Sequence, residues 1–312
     1  MSASAGRPGA FSRIGFGARG IGMGNALAAV KTGGIAAYYN PALSVFQNDN
    51  YFSAGYTFLG YDRSLNFLNF TRRFEFSSGK DSLTGSVKAR ATAGISAGII
   101  NSGVSNIEER DNQGILRGNI STSENQFYLS VANKFSEKFA LGITTKFYYY
   151  KLYEDVTSTS LGFDIGFVYS YNENLTFGFV ISDLNSKYKW DTSPVYGTSG
   201  TTTTDNFPVT KRLGASYYLP DEKLLIAAEY LFDNYESQVL RAGAEYNIYD
   251  KLFIRGGVDN LNLSNKDDKP RPSLGFSYSK VLGTMSAGID YAFQVENYSS
   301  SHRHVVNVFL VF

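Results

Sequence analysis

The chain has 312 residues, with 29 basic and 28 acidic side chains, two histidines and no cysteine. A net charge of +1 argues against a nucleic-acid binder, which shows a basic surplus or stripe. The missing cysteines exclude a disulfide framework, a thiolate metal site and a cysteine nucleophile, and His302 and His304 alone leave no ligand set for a metal; no cofactor is expected. Against one Trp and three Met stand 23 Tyr, 24 Phe and 31 Gly, a surplus of strand and turn formers. The composition is all-β.

No stretch reaches the roughly 18 apolar residues of a membrane-spanning helix. The N-terminus from Met1 to Arg7 lacks the apolar run of about 7–15 residues of a signal peptide, so an exported form is expected to have lost its signal already. Residues 1–48 form the first unit. They carry Arg7, Arg13, Arg19 and Lys31 but no acidic residue, are crowded with glycine and alternate poorly. Gly15-Phe16-Gly17-Ala18-Arg19-Gly20 matches the G-x-G-x-x-G spelling of a dinucleotide site. That chemistry needs a hydrophobic strand before the glycines and an acidic residue about 20 positions beyond them. Upstream stands Gly6-Arg7-Pro8-Gly9, and the first acidic residue is Asp49. The cofactor reading is rejected.

From Tyr51 onward apolar residues recur at every second position. Runs near residues 51–59, 64–76, 90–101, 125–135, 139–153, 156–171, 175–184, 207–219, 223–233, 237–249, 252–259, 271–280, 284–293 and 303–312 predict about fourteen strands. In one, Leu161, Phe163, Ile165 and Phe167 alternate with Gly162, Asp164, Gly166 and Val168. One face is large and apolar; the other is small or charged, as where side chains crowd a lumen. Phe163, Ile165, Phe167, Phe177, Phe179, Ile226, Ile254 and Ile289 are therefore assigned to lipid, and Lys146, Asp164 and Asp290 to the interior. Many runs exceed the usual five or six residues and fit a tilted span of about 9–11. Tight turns (Ser136-Glu137-Lys138, Asn172-Glu173-Asn174, Pro220-Asp221-Glu222, Tyr249-Asp250-Lys251) alternate with longer polar loops at 102–124, 185–206 and 260–270, the layout of an outer-membrane barrel. The connection 77–89 is long for the tight-turn side. Around 91–100 the wall is rich in Ala, Gly and Ser, and a lateral gap is expected there.

Register follows from turn length. A three-residue turn at Tyr249-Asp250-Lys251 pairs Ile248 with Leu252, which sets Glu245 opposite Arg255 and Arg241 opposite Asp259 on the lumen face. A similar turn at Asn234-Tyr235-Glu236 adds Glu229 opposite Arg241. With Asp290 these make a charge row able to hold the basic N-terminal residues through Glu229 or Asp259. The tyrosines Tyr148, Tyr149, Tyr150, Tyr153, Tyr169 and Tyr171 are expected in interface girdles or protein contacts. His302, His304 and Ser299, Ser300 and Ser301 read as a polar loop tip without a positioned third group. Glu108-Glu109 and Asp267-Asp268 read as solvated charge, and the tract 198–204 as a flexible loop. No enzyme is expected. The chain ends on Val306, Val308, Leu310 and Phe312, resembling the terminal signature read by the outer-membrane assembly machinery.

Gly17-Ala18-Arg19-Gly20-Ile21-Gly22-Met23-Gly24-Asn25-Ala26, followed by Tyr38-Tyr39-Asn40-Pro41-Ala42-Leu43, resembles the start of the PorV/PorQ family of outer-membrane barrels, related to the FadL fatty acid transporters. The resemblance implies a transmembrane antiparallel β-barrel (49–312) in the outer membrane of a Gram-negative-type bacterium. It also implies a hatch (1–48) folded into the lumen, with Gly17, Arg19, Gly22, Met23, Gly24, Asn40, Pro41 and Ala42 as its signature. A PorV/PorQ-like role is that of a plugged adaptor in type IX secretion, partnered by a large translocon barrel or secreted cargo. The alternative, a FadL-like channel for hydrophobic small molecules, needs a continuous apolar pocket beneath the hatch. The inward residues read as mostly small or charged, which favours the adaptor.

Overall fold

The computed structural model describes residues 6–80, 87–299 and 301–312, with the backbone alone at 77–80 and 87–90. The strands are β1 (Tyr51–Phe58), β2 (Arg63–Lys80), β3 (Val87–Arg110), β4 (Leu116–Lys134), β5 (Phe139–Lys151), β6 (Thr157–Ser170), β7 (Leu175–Leu184) and β8 (Lys187–Asp191). They continue as β9 (Thr202–Asn206), β10 (Thr210–Leu219), β11 (Leu224–Asp233), β12 (Gln238–Tyr249), β13 (Leu252–Asn262), β14 (Arg271–Leu282), β15 (Met285–Gln294) and β16 (Arg303–Val311). Neighbours pair antiparallel, β7 pairs with β10, and β1 closes on β16 to give a barrel of fourteen strands. The remaining two, β8 and β9, form a separate hairpin.

The alternation does what period-2 geometry demands. On β4, Gln126, Tyr128, Ser130 and Ala132 are buried, while Phe127, Leu129 and Val131 stay about half exposed. Phe177, Ile226, Ile254 and Ile289 are exposed on the outer face, Phe163, Ile165, Phe167 and Phe179 share it, and Lys146, Asp164 and Asp290 are buried. A continuous outer band of exposed Phe, Leu, Ile and Val is a lipid face, not a water-facing one.

Both barrel termini lie at one rim, where the Asn50 and Phe312 backbones exchange hydrogen bonds of 2.9 and 3.0 Å. The tight turns share this rim. Here β2 and β3 run on past β1, and the middle of the connection expected at 77–89 (81–86) lies outside the described residues. At the other rim three expected loops are partly strand. β3 and β4 continue as a ribbon through 102–124, bent at a bulge where Asn106 has φ 56; apart from Ile115 and Leu116 at its tip, its exposed residues are polar or glycine, so apolar periodicity is silent. β13 extends to Asn262. The polar stretch 185–206 holds the β8–β9 hairpin, and the tract read as flexible ends in β9.

The lateral gap expected around 91–100 is absent. From Thr92 to Ile100, β3 is paired residue by residue with both β2 and β4. Its small residues serve a different end: a Cβ on Gly94 would lie 2.5 Å from the Ser44 carbonyl carbon. They make room inside rather than weaken the ladder. The β12–β13 turn also differs from expectation. Tyr249 opposes Leu252 across a two-residue Asp250-Lys251 turn, and a bulge between Asn247 and Tyr249 absorbs the extra residue. The inner register survives, with Glu245 opposite Arg255 and Glu229 opposite Arg241. A second bulge, between Leu240 and Ala242, displaces Arg241 from direct opposition to Asp259.

Placing arginine on the outer face tests this orientation. Ile165→Arg should destabilise the barrel in phospholipid vesicles by roughly 2–4 kcal/mol if the site is mid-bilayer, measured by reversible urea unfolding. An unchanged unfolding midpoint would mean that Ile165 does not face lipid.

Candidate functional site: the filled lumen

Residues 6–48 form only short turns of helix: α1 (Ala10–Arg13), α2 (Ala18–Gly22), α3 (Ala36–Tyr39) and a 3-10 helix (Pro41–Phe46). Between Phe16 and Val45 nearly every side chain is buried, and the partners are the inward faces of the strands. Gly24 shows why glycine is needed. Its φ is 58, and a Cβ there would sit 2.6 Å from the Ala242 carbonyl and 2.7 Å from that of Val258. The wall reciprocates at Gly142, where a Cβ would lie 2.6 Å from the Ala42 nitrogen.

Ionic bonds tie this segment to one side of the barrel. Arg19 donates to Glu245 at 2.8 and 2.9 Å and to the Thr32 carbonyl and hydroxyl. Glu245 also accepts from Arg255 at 2.5 Å, and Arg255 reaches Asp290 at 3.1 Å. Beside them Arg241 bridges Glu229 at 3.0 Å and Asp259 at 2.7 Å. Asn25 donates to Asp259 at 2.8 Å, and the Ala28 amide to Glu229 at 3.1 Å. The six charges read from the sequence (Glu229, Arg241, Glu245, Arg255, Asp259, Asp290) thus meet in two clusters. An unpaired charge in a water-poor lumen is costly, so each is matched.

Further bonds complete the hold. Asn307 accepts from the Ala18 amide at 3.3 Å, Ser273 donates to the Gly22 carbonyl at 3.5 Å, and Ser216 to that of Ala29 at 2.8 Å. Met23 is fully buried against Gly243 and Gly257, and a Cβ at Gly17 would overlap Ile35. Asn40 caps the 3-10 helix, accepting from the Ala42 amide at 3.1 Å, and donates to the carbonyls of Ala28 and Phe167 at 2.8 and 3.0 Å. Pro41 and Ala42 pack on Gly142 of β5, and Pro41 also on Gly166 of β6. A third cluster escaped the sequence reading. Lys146 bridges Asp164 at 2.8 Å and Asp183 at 3.1 Å, and Asp183 accepts from the Tyr148 hydroxyl at 2.6 Å. Alternation marked Lys146 and Asp164, but Asp183 sits at a β7 bulge with φ 64, which periodicity does not show.

The inner wall of β2 to β6 corrects the expectation of small or charged residues. Leu65, Phe67, Ile100, Tyr148 and Val156 join Phe11, Phe16, Leu27 and Val30 in one buried apolar cluster. Tyr148 and Tyr150 face inward, not into an interface girdle, whereas Tyr149, Tyr169 and Tyr171 are exposed. The cluster runs up to the β8–β9 hairpin. Trp190 packs on Tyr188 (5.4 Å between ring centroids), Tyr188 on Phe207 (4.8 Å), Phe207 on Tyr148 (4.9 Å) and Tyr148 on Phe11 (6.3 Å). Deeper in, Phe16 meets Tyr38 at 4.1 Å and Phe67 at 4.4 Å. An aromatic column fills the lumen opposite the two arginine clusters, with the Lys146 cluster at its side through the Tyr148 hydroxyl.

Outside the lumen the chemistry is bland. His304 is on the outer face of β16 with Nδ1 2.7 Å from the Tyr291 hydroxyl, and His302 accepts from the Glu296 amide at 3.4 Å. Ser299 and Ser301 bond each other at 3.4 Å; Ser300 lies outside the described residues. Glu108 pairs with Arg110, Glu109 accepts from Tyr153, and Asp268 from Asn262. Among the described residues no group of three or more acidic or imidazole side chains can hold a metal.

A closed fourteen-stranded antiparallel barrel, apolar outside and packed within, is an outer-membrane protein of a Gram-negative-type bacterium. No family model and no curated protein matches the chain. Among solved structures it is similar to the Ralstonia pickettii toluene transporter TbuX, at 15% identity and a TM-score of 0.62 over 95% of this chain and 97% of that one. The Pseudomonas putida toluene transporter TodX is similar at 12% identity and a TM-score of 0.62, over 95% and 96% of the two chains. A Pseudomonas aeruginosa FadL homologue follows at 13% identity and 0.52, over 95% and 97%. At these identities the likeness is one of fold, and the fold is the FadL type. It corrects the PorV/PorQ expectation: the adaptor role in type IX secretion, with a translocon barrel or cargo as partner, has no counterpart in these structures. Glycines and an Asn-Pro-Ala turn are what any chain needs to pack inside such a barrel, so they do not discriminate between the two roles.

Removing one acceptor tests the ionic hold. Glu245→Leu leaves Arg19 and Arg255 competing for fewer carboxylates and should cost about 3–5 kcal/mol, read as a lower unfolding midpoint with faster protease cleavage within residues 6–48. Wild-type values on both measures would mean that the cluster contributes nothing to holding the segment.

Proposed function

We propose that this protein is a channel for hydrophobic small molecules across the outer membrane, with residues 1–48 as its hatch and 49–312 as its barrel. The observation that carries the reading is the aromatic column from Trp190 and Tyr188 at the mouth, through Phe207 and Tyr148, to Phe11. A channel for apolar solutes uses such a column as a relay of favourable sites that compete with water and with the outer leaflet. The toluene transporters with the same fold support this solute class. In this reading Arg19, Asn25 and the Ala28 amide, held by Glu245, Asp259 and Glu229, keep the hatch seated, and the barrel's outer face is partnered by outer-membrane lipid.

Uptake of radiolabelled toluene into proteoliposomes tests it. Uptake should exceed that of protein-free vesicles, and Trp190→Ala and Phe207→Ala should each slow it about two- to tenfold, the range of one ring contact. Toluene entry at the rate of empty vesicles would rule the channel out.

A further inference from the structure

We propose that the lumen face of β2, β3 and β4 recognises a neutral aromatic molecule bearing one hydrogen-bonding group, with Gln126 as the residue that selects for that group. The proposal rests on the channel reading and narrows its substrate class.

The N-terminal segment is held unevenly. Toward β11 to β16 it is tied by ion pairs and hydrogen bonds from Arg19, Asn25, Ala28 and Ala18. Toward β2 to β4, at the level of Phe67 and Gln126, it presents rings: Phe16 lies 4.4 Å from Phe67, and Tyr38 5.3 Å from Tyr128. Lower down, Thr71 of β2 donates to the Gly34 carbonyl at 3.0 Å and Arg73 to the Asn48 side chain at 3.1 Å.

In that aromatic surface the wall carries polar groups with unmet capacity. Gln126 is fully buried; its Oε1 has no partner, and its Nε2 faces the oxygen of the Tyr38 hydroxyl. The Tyr38 hydroxyl is its neighbour but donates to the Ser12 carbonyl at 3.0 Å. On the next inner row the Asn69 Nδ2 and the Ser53 Oγ, on residues that oppose each other across β1 and β2, are also unpartnered. The Asn69 Oδ1 is already engaged by the Tyr128 hydroxyl at 2.6 Å and by Ser96 at 3.2 Å. Buried amides are normally satisfied, and an orphan in a native wall calls for a partner. The register places Gln126 between Ile100 and Tyr148, and Ile100 beside Phe67. The orphan amide therefore borders the aromatic column.

Chemistry then selects the occupant. A ring entering here exchanges ring contacts with Phe16, Tyr38, Phe67 and Tyr128 for its own. A hydroxyl can donate to the Gln126 carbonyl oxygen or accept from its amide nitrogen. A hydrocarbon leaves the amide unmet. A carboxylate would meet cations that are already engaged: Lys146 by Asp164 and Asp183, and Arg13 by the Pro8 and Arg7 carbonyls. The substrate class is phenol-like: flat, apolar and uncharged, with one polar atom.

Three probes that share a tolyl ring test this: p-cresol, toluene and p-toluate, titrated calorimetrically into the detergent-solubilised full chain. Wild-type protein should bind p-cresol at least about tenfold more tightly than toluene, the value of one well-made hydrogen bond, and p-toluate least. Gln126→Leu should bring p-cresol to the level of toluene and leave toluene unchanged or improved. Gln126→Met provides the same reading should the leucine variant not fold, as judged by heat-dependent gel migration. Equal wild-type affinities, tighter p-toluate binding, or a loss of toluene and p-cresol together in the variants would overturn the inference. It would likewise fall if none of the probes bound while toluene still entered proteoliposomes, and the channel reading would then stand. No binding and no toluene entry would remove both.

Discussion

A barrel of fourteen strands encloses more space than its own inward side chains can fill: about eight strands is the size at which wall residues alone suffice, and sixteen or more leave a channel. That mismatch between wall and volume governs the rest of the molecule. The space is taken by the N-terminal segment, whose extended stretches and short helical turns approach the wall closely enough that glycines are needed on both sides of the contact, as at Gly24 and Gly142. The small residues of β3 belong to the same accommodation. Gly94 faces the backbone of the segment at Ser44, and the ladder outside it is intact.

Filling the lumen removes most of its water, and with the water goes the screening that would let wall charges stand alone. Glu229, Glu245, Asp259 and Asp290 therefore each have an arginine, and the arginines are shared: Arg241 between Glu229 and Asp259, Arg255 between Glu245 and Asp290. The segment contributes Arg19 to this scheme. Buried pairs of this kind contribute little net stability against an apolar alternative, yet breaking one is expensive. They specify position more than they add stability. On the opposite wall the segment meets rings, which resist sliding far less than a bidentate guanidinium does. One side of the lumen is thus geometrically committed and the other is adaptable.

The mouth follows the same division. The β8–β9 hairpin turns Tyr188 and Trp190 down onto Phe207 and Tyr150, while Trp190 Nε1 donates to Asp205 at 3.0 Å and the Tyr188 hydroxyl to Glu124 at 2.9 Å. These amphipathic rings have an apolar body in the column and a polar edge at the rim. At the mouth, the polar edges of these two rings are therefore satisfied.

Strand number, closure, facing and the inner register of β11 to β13 were legible in the sequence because one face of every strand is fixed by the solvent outside it. Period-2 alternation records the choice between lipid and lumen, and a slip of one residue would invert a whole strand. The opposition of Glu245 to Arg255 followed from that rule even though the turn beside it is built differently, since the bulge after Asn247 restores the parity. What alternation cannot record is anything decided beyond the membrane or within the lumen. The ribbon of β3 and β4 is mostly polar, and the β8–β9 hairpin shows only Tyr188 and Trp190 on its inner face, too short a pattern to mark a strand. Tyr148 and Tyr150 are aromatic on either side of the wall, so composition could not say that they point inward. Asp183 joined Lys146 only through a bulge. The role suggested by the N-terminal motif was misread for a related reason: the motif encodes how a chain packs inside a barrel, which is common to more than one use of the barrel. The sequence by itself thus determined which face of each strand meets lipid, because that depends on one residue and its solvent. Only the tertiary structure decided what fills the interior and which buried groups lack partners, because those depend on side chains brought together from opposite ends of the chain.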